Sequence, residues 1–275
     1  MPITFTFDLE DHRAGTTAPL RCREPTERIL AWLGAHGARG TFFVVGDLAE
    51  REPALVRQVT DAGHELALHG LHHVPIEETG EARFLDELRR GRAILEDATG
   101  TAVAGYRAPI FSLTRRTPWA PGALAEAGFR YTSSVLPADS PLHGIAGMPR
   151  QPFRWREGPV ELPCPVTGRG RLSIPFLGGV YLRYLPVPAI RAALRRLAAD
   201  VRPWIYLHPY DLDPDEPFAV LPHAGYVTSR IVHHRRAGTV GRLDAVVRAA
   251  GGLAPPLVEI AETAGAGALP EVTLA

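Results

Sequence analysis

The sequence predicts an α/β fold built on a mostly parallel sheet, open or closed into a barrel. Three observations carry this reading. Short apolar runs alternate with amphipathic helical stretches along most of the chain, the pattern of repeated strand–helix units. The runs lack polar alternation, as Thr41-Phe42-Phe43-Val44-Val45 shows, which suits strands covered by helices on both faces. Polar clusters recur just past the C-terminal ends of successive runs, the edge where parallel α/β folds collect catalytic groups.

Taken in order, Ile3-Thr4-Phe5-Thr6-Phe7 reads as the first strand, because alternating Thr and Phe suit a pleated surface, and it stops on Asp8, Glu10, Asp11 and His12. A Gly/Thr/Pro loop follows. Pro25 to Gly37 reads as a helix with Ile29, Leu30 and Leu33 on one face, and Gly40 to Val45 as the second strand. Glu52 to Ala62 places Leu55, Val56 and Val59 at helical spacing and ends at Gly63. His64 to His69 is a third strand running into Gly70-Leu71-His72-His73. Glu81 to Thr99 is the longest amphipathic helix, lined by Phe84, Leu88, Gly91 and Leu95. Val103 to Tyr106 is a fourth strand ending on Arg107-Ala108-Pro109, with a helix at Pro121 to Ala127 and a strand at Phe129 to Ser133 behind it.

The stretch from Leu136 to Leu185 is dense in Gly, Pro and Arg and weak in periodicity, so it reads as long loops and short strands forming a substrate-facing wall. Pro188 to Asp200 is a helix with Ile190, Leu194 and Leu197 in register. Trp204 to Leu207 is a strand running into His208-Pro209-Tyr210-Asp211, and Val240 to Ala249 is the last helix. A basic segment with His233 and His234 precedes that helix and reads as surface. The division that follows is one domain over residues 1–253, with an irregular insertion at 136–185 and a partly mobile tail at 254–275.

Composition narrows the function classes. With 45% hydrophobic residues and 22% charged, the chain reads as an ordinary globular protein. Lys+Arg and Asp+Glu balance at 30 each, so the sustained positive field needed for nucleic acid or an anionic membrane is missing. Cys22 and Cys164 match no zinc or redox spacing. No stretch approaches the length of a membrane span, and the first strand begins without a basic or apolar leader, so a cytoplasmic location is expected. No feature dictates an oligomeric state.

His69 and His73 stand four apart, a spacing that lets two imidazoles converge on one ion if the chain turns after the strand. Carboxylates as close as Asp8, Glu10 and Asp11 repel unless a cation, an arginine or a shared proton relieves them. Two neutral imidazoles and one carboxylate make an open site on zinc or a similar divalent ion.

These residues resemble the polysaccharide deacetylases of the NodB-homology group, carbohydrate esterase family 4. Thr6-Phe7-Asp8 followed by acids is similar to that family's first motif, His69-Gly70-Leu71-His72-His73 to its second, Arg107-Ala108-Pro109 to its third and Leu207-His208-Pro209 to its last. Gly105-Tyr106-Arg107-Ala108-Pro109 with Phe111-Ser112, Thr117 and Trp119, then Gly128-Phe129-Arg130-Tyr131 with Ser133-Ser134, and Tyr206 to Pro214 resemble the branch that accompanies exopolysaccharide export. The resemblance spans roughly residues 3 to 250.

It implies an irregular (β/α)7 TIM-like barrel and a metal-dependent amide hydrolase, a deacetylase of N-acetylated carbohydrate. Asp8 would be the general base, Arg107 its partner, His208 the general acid, and His69 and His73 metal ligands. The third ligand is Glu10 or Asp11, because Leu9 stands where the simplest family motif has its metal-binding acid. The cofactor implied is a divalent metal, zinc above others. The backbone N–H near Ile110 would help hold the oxyanion, and Phe111 and Tyr210 would face the substrate. Thr132 departs from the family, whose aspartate there tunes the acid; Asp211 or Asp213 is close enough in sequence to replace it. Two other readings stay open: a C–N hydrolase of a small non-sugar amide, cyclic ureide or imide, and a carbohydrate-binding homologue without turnover. Leu113, Trp119, Phe176 and Tyr181 could line a sugar groove, although a core role suits most of them better.

Overall fold

The computed structural model describes residues 1–11, 20–140, 143–156, 158–221 and 225–274. His12 and the Gly/Thr/Pro loop predicted behind it lie outside the described residues. The first half alternates as its periodicities require: β1 (Ile3–Leu9), α1 (Arg23–Ala35), β2 (Thr41–Val44), α2 (Gly46–Arg51), α3 (Pro53–Asp61) and β3 (Glu65–Leu68). Then come α4 (Ile76–Thr79), α5 (Glu81–Thr99), β4 (Gly105–Tyr106), α6 (Ala120–Glu126) and β5 (Tyr131–Thr132). The helix expected from Glu52 is preceded by a further one, α2. Pro53 opens α3 and forces Glu52 out of helical geometry (φ −127°, ψ 51°), so two helices meet there.

The region read as loops and short strands contains β6 (Phe153–Trp155), β7 (Val160–Glu161), β8 (Val166–Thr167), β9 (Ile174–Pro175) and α7 (Gly179–Tyr184). The chain continues through α8 (Val187–Arg195), β10 (Trp204–Leu207), α9 (Gly225–His233), α10 (Thr239–Ala250), β11 (Leu253–Ala254), α11 (Leu257–Gly265) and β12 (Glu271–Val272).

The main sheet runs β10-β1-β2-β3-β4-β5-β7-β6-β12, with β11 also joining β1. Every pairing in it is parallel except β6 with β7. The sheet is the mostly parallel one expected, and the irregular barrel is not closed: among the described residues no ladder joins β7 back to β10. A single parallel bridge, Gly178 to Tyr206, stands on the other edge of β10, and Trp204 Nε1 donates to Leu162 O at 3.3 Å across the gap. Pro163, Pro165 and Pro175 lie in the intervening chain and have no N–H to give a ladder.

Strand parity divides the core in two. Phe5, Phe7, Phe42, Val44, Leu66, Leu68, Tyr106, Ile205 and Leu207 pack outward with helix residues such as Ile29, Leu33, Val56, Leu88 and Leu95. Phe43, Ala67, Tyr131, Leu162, Cys164, Trp204 and Tyr206 form a separate inner cluster. Inward positions are therefore the even residues of β1 and β10 and the odd residues of β2 and β3.

The segment read as a partly mobile tail with few anchors makes several contacts with the body. Leu257 N donates to Thr41 Oγ1 at 2.8 Å and Val258 N to Glu65 Oε2 at 3.0 Å, which seats α11 at the N-terminal ends of β2 and β3. β12 pairs with β6. Among the described residues, no helix is long and apolar enough to cross a membrane.

Candidate active site

At the opposite, C-terminal ends of the strands, the inward parity continues into Asp8 near the end of β1 and Glu10 just past it, His69 after β3, Arg107 after β4 and His208 after β10. Asp8, Glu10, His69 and Arg107 are all buried. Arg107 spends its donors on this edge. Nη1 reaches Asp8 Oδ1 at 2.5 Å and Thr6 Oγ1 at 2.9 Å, Nη2 reaches Ser133 Oγ at 3.1 Å, and Nε reaches Ser133 O at 3.3 Å. Its guanidinium lies between the rings of Phe43 and Trp204, 3.9 and 4.2 Å from their centroids. Asp8 is thus held by one oxygen. The other, Oδ2, faces His69 Nε2 at 3.9 Å and His208 Nε2 at 3.8 Å.

Glu10, His69 and His73 offer ligand atoms that lie within 4.8 Å of one another. His69 Nδ1 bonds the Arg107 carbonyl at 2.9 Å, so Nδ1 carries the hydrogen and Nε2 keeps its lone pair. Burial holds this imidazole down at about 4, neutral at pH 7, against the pull of Asp8. His73 arrives through a tight turn, with Gly70 at φ 78° and His73 itself at φ 51°. Glu10 Oε2 is buried and faces His73 Nε2 as an ion pair, yet no hydrogen bond reaches that oxygen among the described residues. Burial alone would raise Glu10, but the imidazoles, His73 foremost, hold it well below the usual carboxylate range. A buried anionic oxygen lacking a donor, beside two imidazole nitrogens, is a donor set that fits a divalent cation. Asp11 is half-buried and outside this group.

On the far side of Asp8, Asp211 Oδ2 accepts from the His208 backbone N and meets its Nδ1, both at 3.0 Å. Burial would lower the imidazole, yet the bond and charge of Asp211 outweigh it and raise His208 to about 9. The Tyr210 ring stacks on His208 with centroids 4.6 Å apart. Asp213 is bound instead to Arg21. Thr132 points its hydroxyl at Ser134 Oγ, 2.5 Å away. Ile110 and Phe111 form a rim with φ 50° and 54°; Ile110 is exposed, and the Phe111 ring meets Tyr206 edge-on at 5.4 Å. Three of the four non-glycine residues with positive φ, among the described residues, therefore belong to this site. Leu113 and Phe176 are core, and Trp119 packs on Phe84.

Two residues missed in the sequence support the site from behind. Glu161 Oε1 accepts from Ser134 N at 2.8 Å and Val135 N at 3.0 Å, clamping the loop that holds Arg107; burial lifts its carboxyl to about 7. Arg183 binds Asp211. Both sit in the weakly periodic stretch, and the one available signal was a charged residue inside an apolar run.

The family model described as polysaccharide deacetylase matches residues 2–132, and one described as a domain of unknown function, DUF3473, matches residues 133–250. A peptidoglycan deacetylase-like protein of Gibberella zeae is 29% identical over 144 residues, 51% of this chain and 41% of that one. A peptidoglycan-N-acetylglucosamine deacetylase of Bacillus cereus is 29% identical over 98 residues, 35% of this chain and 36% of its own. The matches thus span well under two thirds of these relatives' length. Among solved structures, a Mycobacterium smegmatis protein assigned to the polysaccharide deacetylases superposes with a TM-score of 0.70 at 23% identity, over 100% of this chain and 93% of that one, and so shares the fold.

Proposed function

Residues 2–132 belong to the polysaccharide deacetylase family, and from that premise we propose that the chain is a metal-dependent amide hydrolase removing acetyl from an N-acetylated amino sugar. One observation carries the reading: the Glu10/His69/His73 donor set and the His208–Asp211 pair flank the same free oxygen of Asp8. Glu10, His69 and His73 would hold the ion, with Glu10 in preference to Asp11. A divalent cation bound there supplies Lewis-acid polarisation of the acetyl carbonyl and acidifies water.

The chain's own residues account for the proton movements. Asp8, anchored through Oδ1 to Arg107, takes a proton on Oδ2 as a water oxygen attacks the acetyl carbon. The backbone N–H near Ile110, on the strained rim, would join in holding the charge that develops on the acetyl oxygen. When the C–N bond breaks, His208 gives its Nε2 proton to the departing nitrogen, leaving acetate and the free amine. Asp211, bonded at Nδ1, keeps that acid charged and oriented, in the place of the carboxylate that Thr132 does not provide. The Phe111 and Tyr210 rings offer apolar surface to a sugar face.

Product analysis separates this from a C–N hydrolase acting on a ureide or imide. Metal-loaded protein should release acetate from N-acetylglucosamine oligomers. A ring-opened product or ammonia from a cyclic ureide, with no acetate released, would overturn the proposal.

A further inference from the structure

Arg183 lies on α7, in a stretch that contributes none of the groups assigned to the reaction, and its side chain is fully enclosed. Each of its three guanidinium nitrogens makes a bond. Nη1 binds Asp211 Oδ1, while Nη2 donates to Val232 O at 2.7 Å and Nε to His234 O at 3.2 Å, carbonyls at the C-terminal end of α9 that have no partner within the helix. The two oxygens of Asp211 are therefore divided, Oδ1 to Arg183 and Oδ2 to His208. Rotation of the carboxylate would break both sets together. Gly179 stands one turn before Arg183 on the same face of α7, and a Cβ there would run into the Asp211 carboxylate. Thr239 Oγ1 fixes the backbone behind, donating to Asp211 O at 2.7 Å. The four residues make a socket that admits one carboxylate in one orientation.

We propose that Arg183 is a positioning residue which, with Gly179 beside it on the same face of α7, locks Asp211 so that His208 keeps its Nδ1 on the carboxylate and turns its Nε2 toward Asp8 Oδ2. The ring's orientation stands on the geometry alone, and its catalytic consequence rests on the deacetylase reading. Position 132 carries no carboxylate, so within this site the socket is what orients the acid. Burial would raise the Asp211 carboxyl, and the charge of Arg183 followed by the imidazole holds it at about 2, in line with a fixed anion.

Arg183→Gln removes the ion pair. Gly179→Ala leaves every charge in place and adds a residue that helices favour, so it tests the socket without stripping the core. The side-chain nitrogens of His208 are followed by 15N NMR in metal-free protein, identified by their loss in His208→Gln. The Nδ1 signal should shift in both variants. In metal-loaded protein, kcat for acetate release from an N-acetylglucosamine oligomer should fall about tenfold or more with KM nearly unchanged. Hydrolysis of 4-nitrophenyl acetate, whose leaving group departs without a proton, should hold. An unmoved His208 signal in both variants overturns the inference, as does equal loss on amide and ester. Wild-type protein inactive on the amide would sink the deacetylase reading, and the NMR comparison would still decide the socket.

Discussion

Asp8 and Arg107 form the buried pair on which the site turns. Arg107 meets three residues and two aromatic faces, a fork that a lysine cannot reproduce. Arg107→Ala should destabilise the fold by about 3–5 kcal/mol in a urea titration, because it leaves Asp8 buried without its counter-charge. Asp8→Asn preserves shape and should reduce acetate release by about a hundredfold or more at unchanged metal content. For pH the sign follows from His208, raised to about 9: the proton donor is present below that value and lost as pH rises through it. The alkaline limb of kcat/KM should therefore fall near 9, and in Asp211→Asn it should move to lower pH. A limb unmoved in that variant would separate His208 from the acid step.

At the scale of elements, the period of two along each strand predicts most of the site. Thr4, Thr6 and Asp8 share a face in β1, as do Trp204, Tyr206 and His208 in and beyond β10, so the polar terminus of each strand inherits the inward direction of the apolar residues before it. The same parity extended to position 10 favours Glu10 over Asp11, a choice that motif spacing alone left even. Other features were less legible. Arg183 and Glu161 act through contacts distant in sequence, and β6 to β9 are two or three residues long, too short to show a period. The absence of a ladder between β7 and β10, among the described residues, goes with a proline-rich crossing whose path no local pattern encodes. One packing detail is directly testable: a Cβ at Gly105 would strike the Tyr131 ring on the next strand. Gly105→Ala should cost about 1–3 kcal/mol by overpacking, measured by denaturant unfolding, despite alanine's smaller entropy loss.

For the whole molecule, one sheet carries both family-matched segments, since β5 ends at the boundary between residues 132 and 133 and pairs with β4 on one side and β7 on the other. The two ends of that sheet divide the labour. The C-terminal ends carry the ionisable cluster, and the N-terminal ends are sealed by α11 over Glu65, which also accepts from Tyr131 OH at 2.6 Å. Deleting residues 256–275 should uncover this half-buried carboxylate and lower the melting temperature by several degrees. A cation at about a hundred times its dissociation constant should add about 2.7 kcal/mol to wild type and much less to His69→Ala. The central claim is that a metal held by Glu10, His69 and His73 and a base at Asp8 act together on an N-acetyl group. It is tested most directly by stripping the protein with a chelator, reloading it with zinc, and measuring bound metal and released acetate on the same sample. The account predicts one ion per chain and acetate release that returns with it in wild type, a metal-loaded but inactive Asp8→Asn, and neither metal nor acetate in His69→Ala. Acetate release that persists in the stripped protein, or in metal-loaded Asp8→Asn, would contradict it.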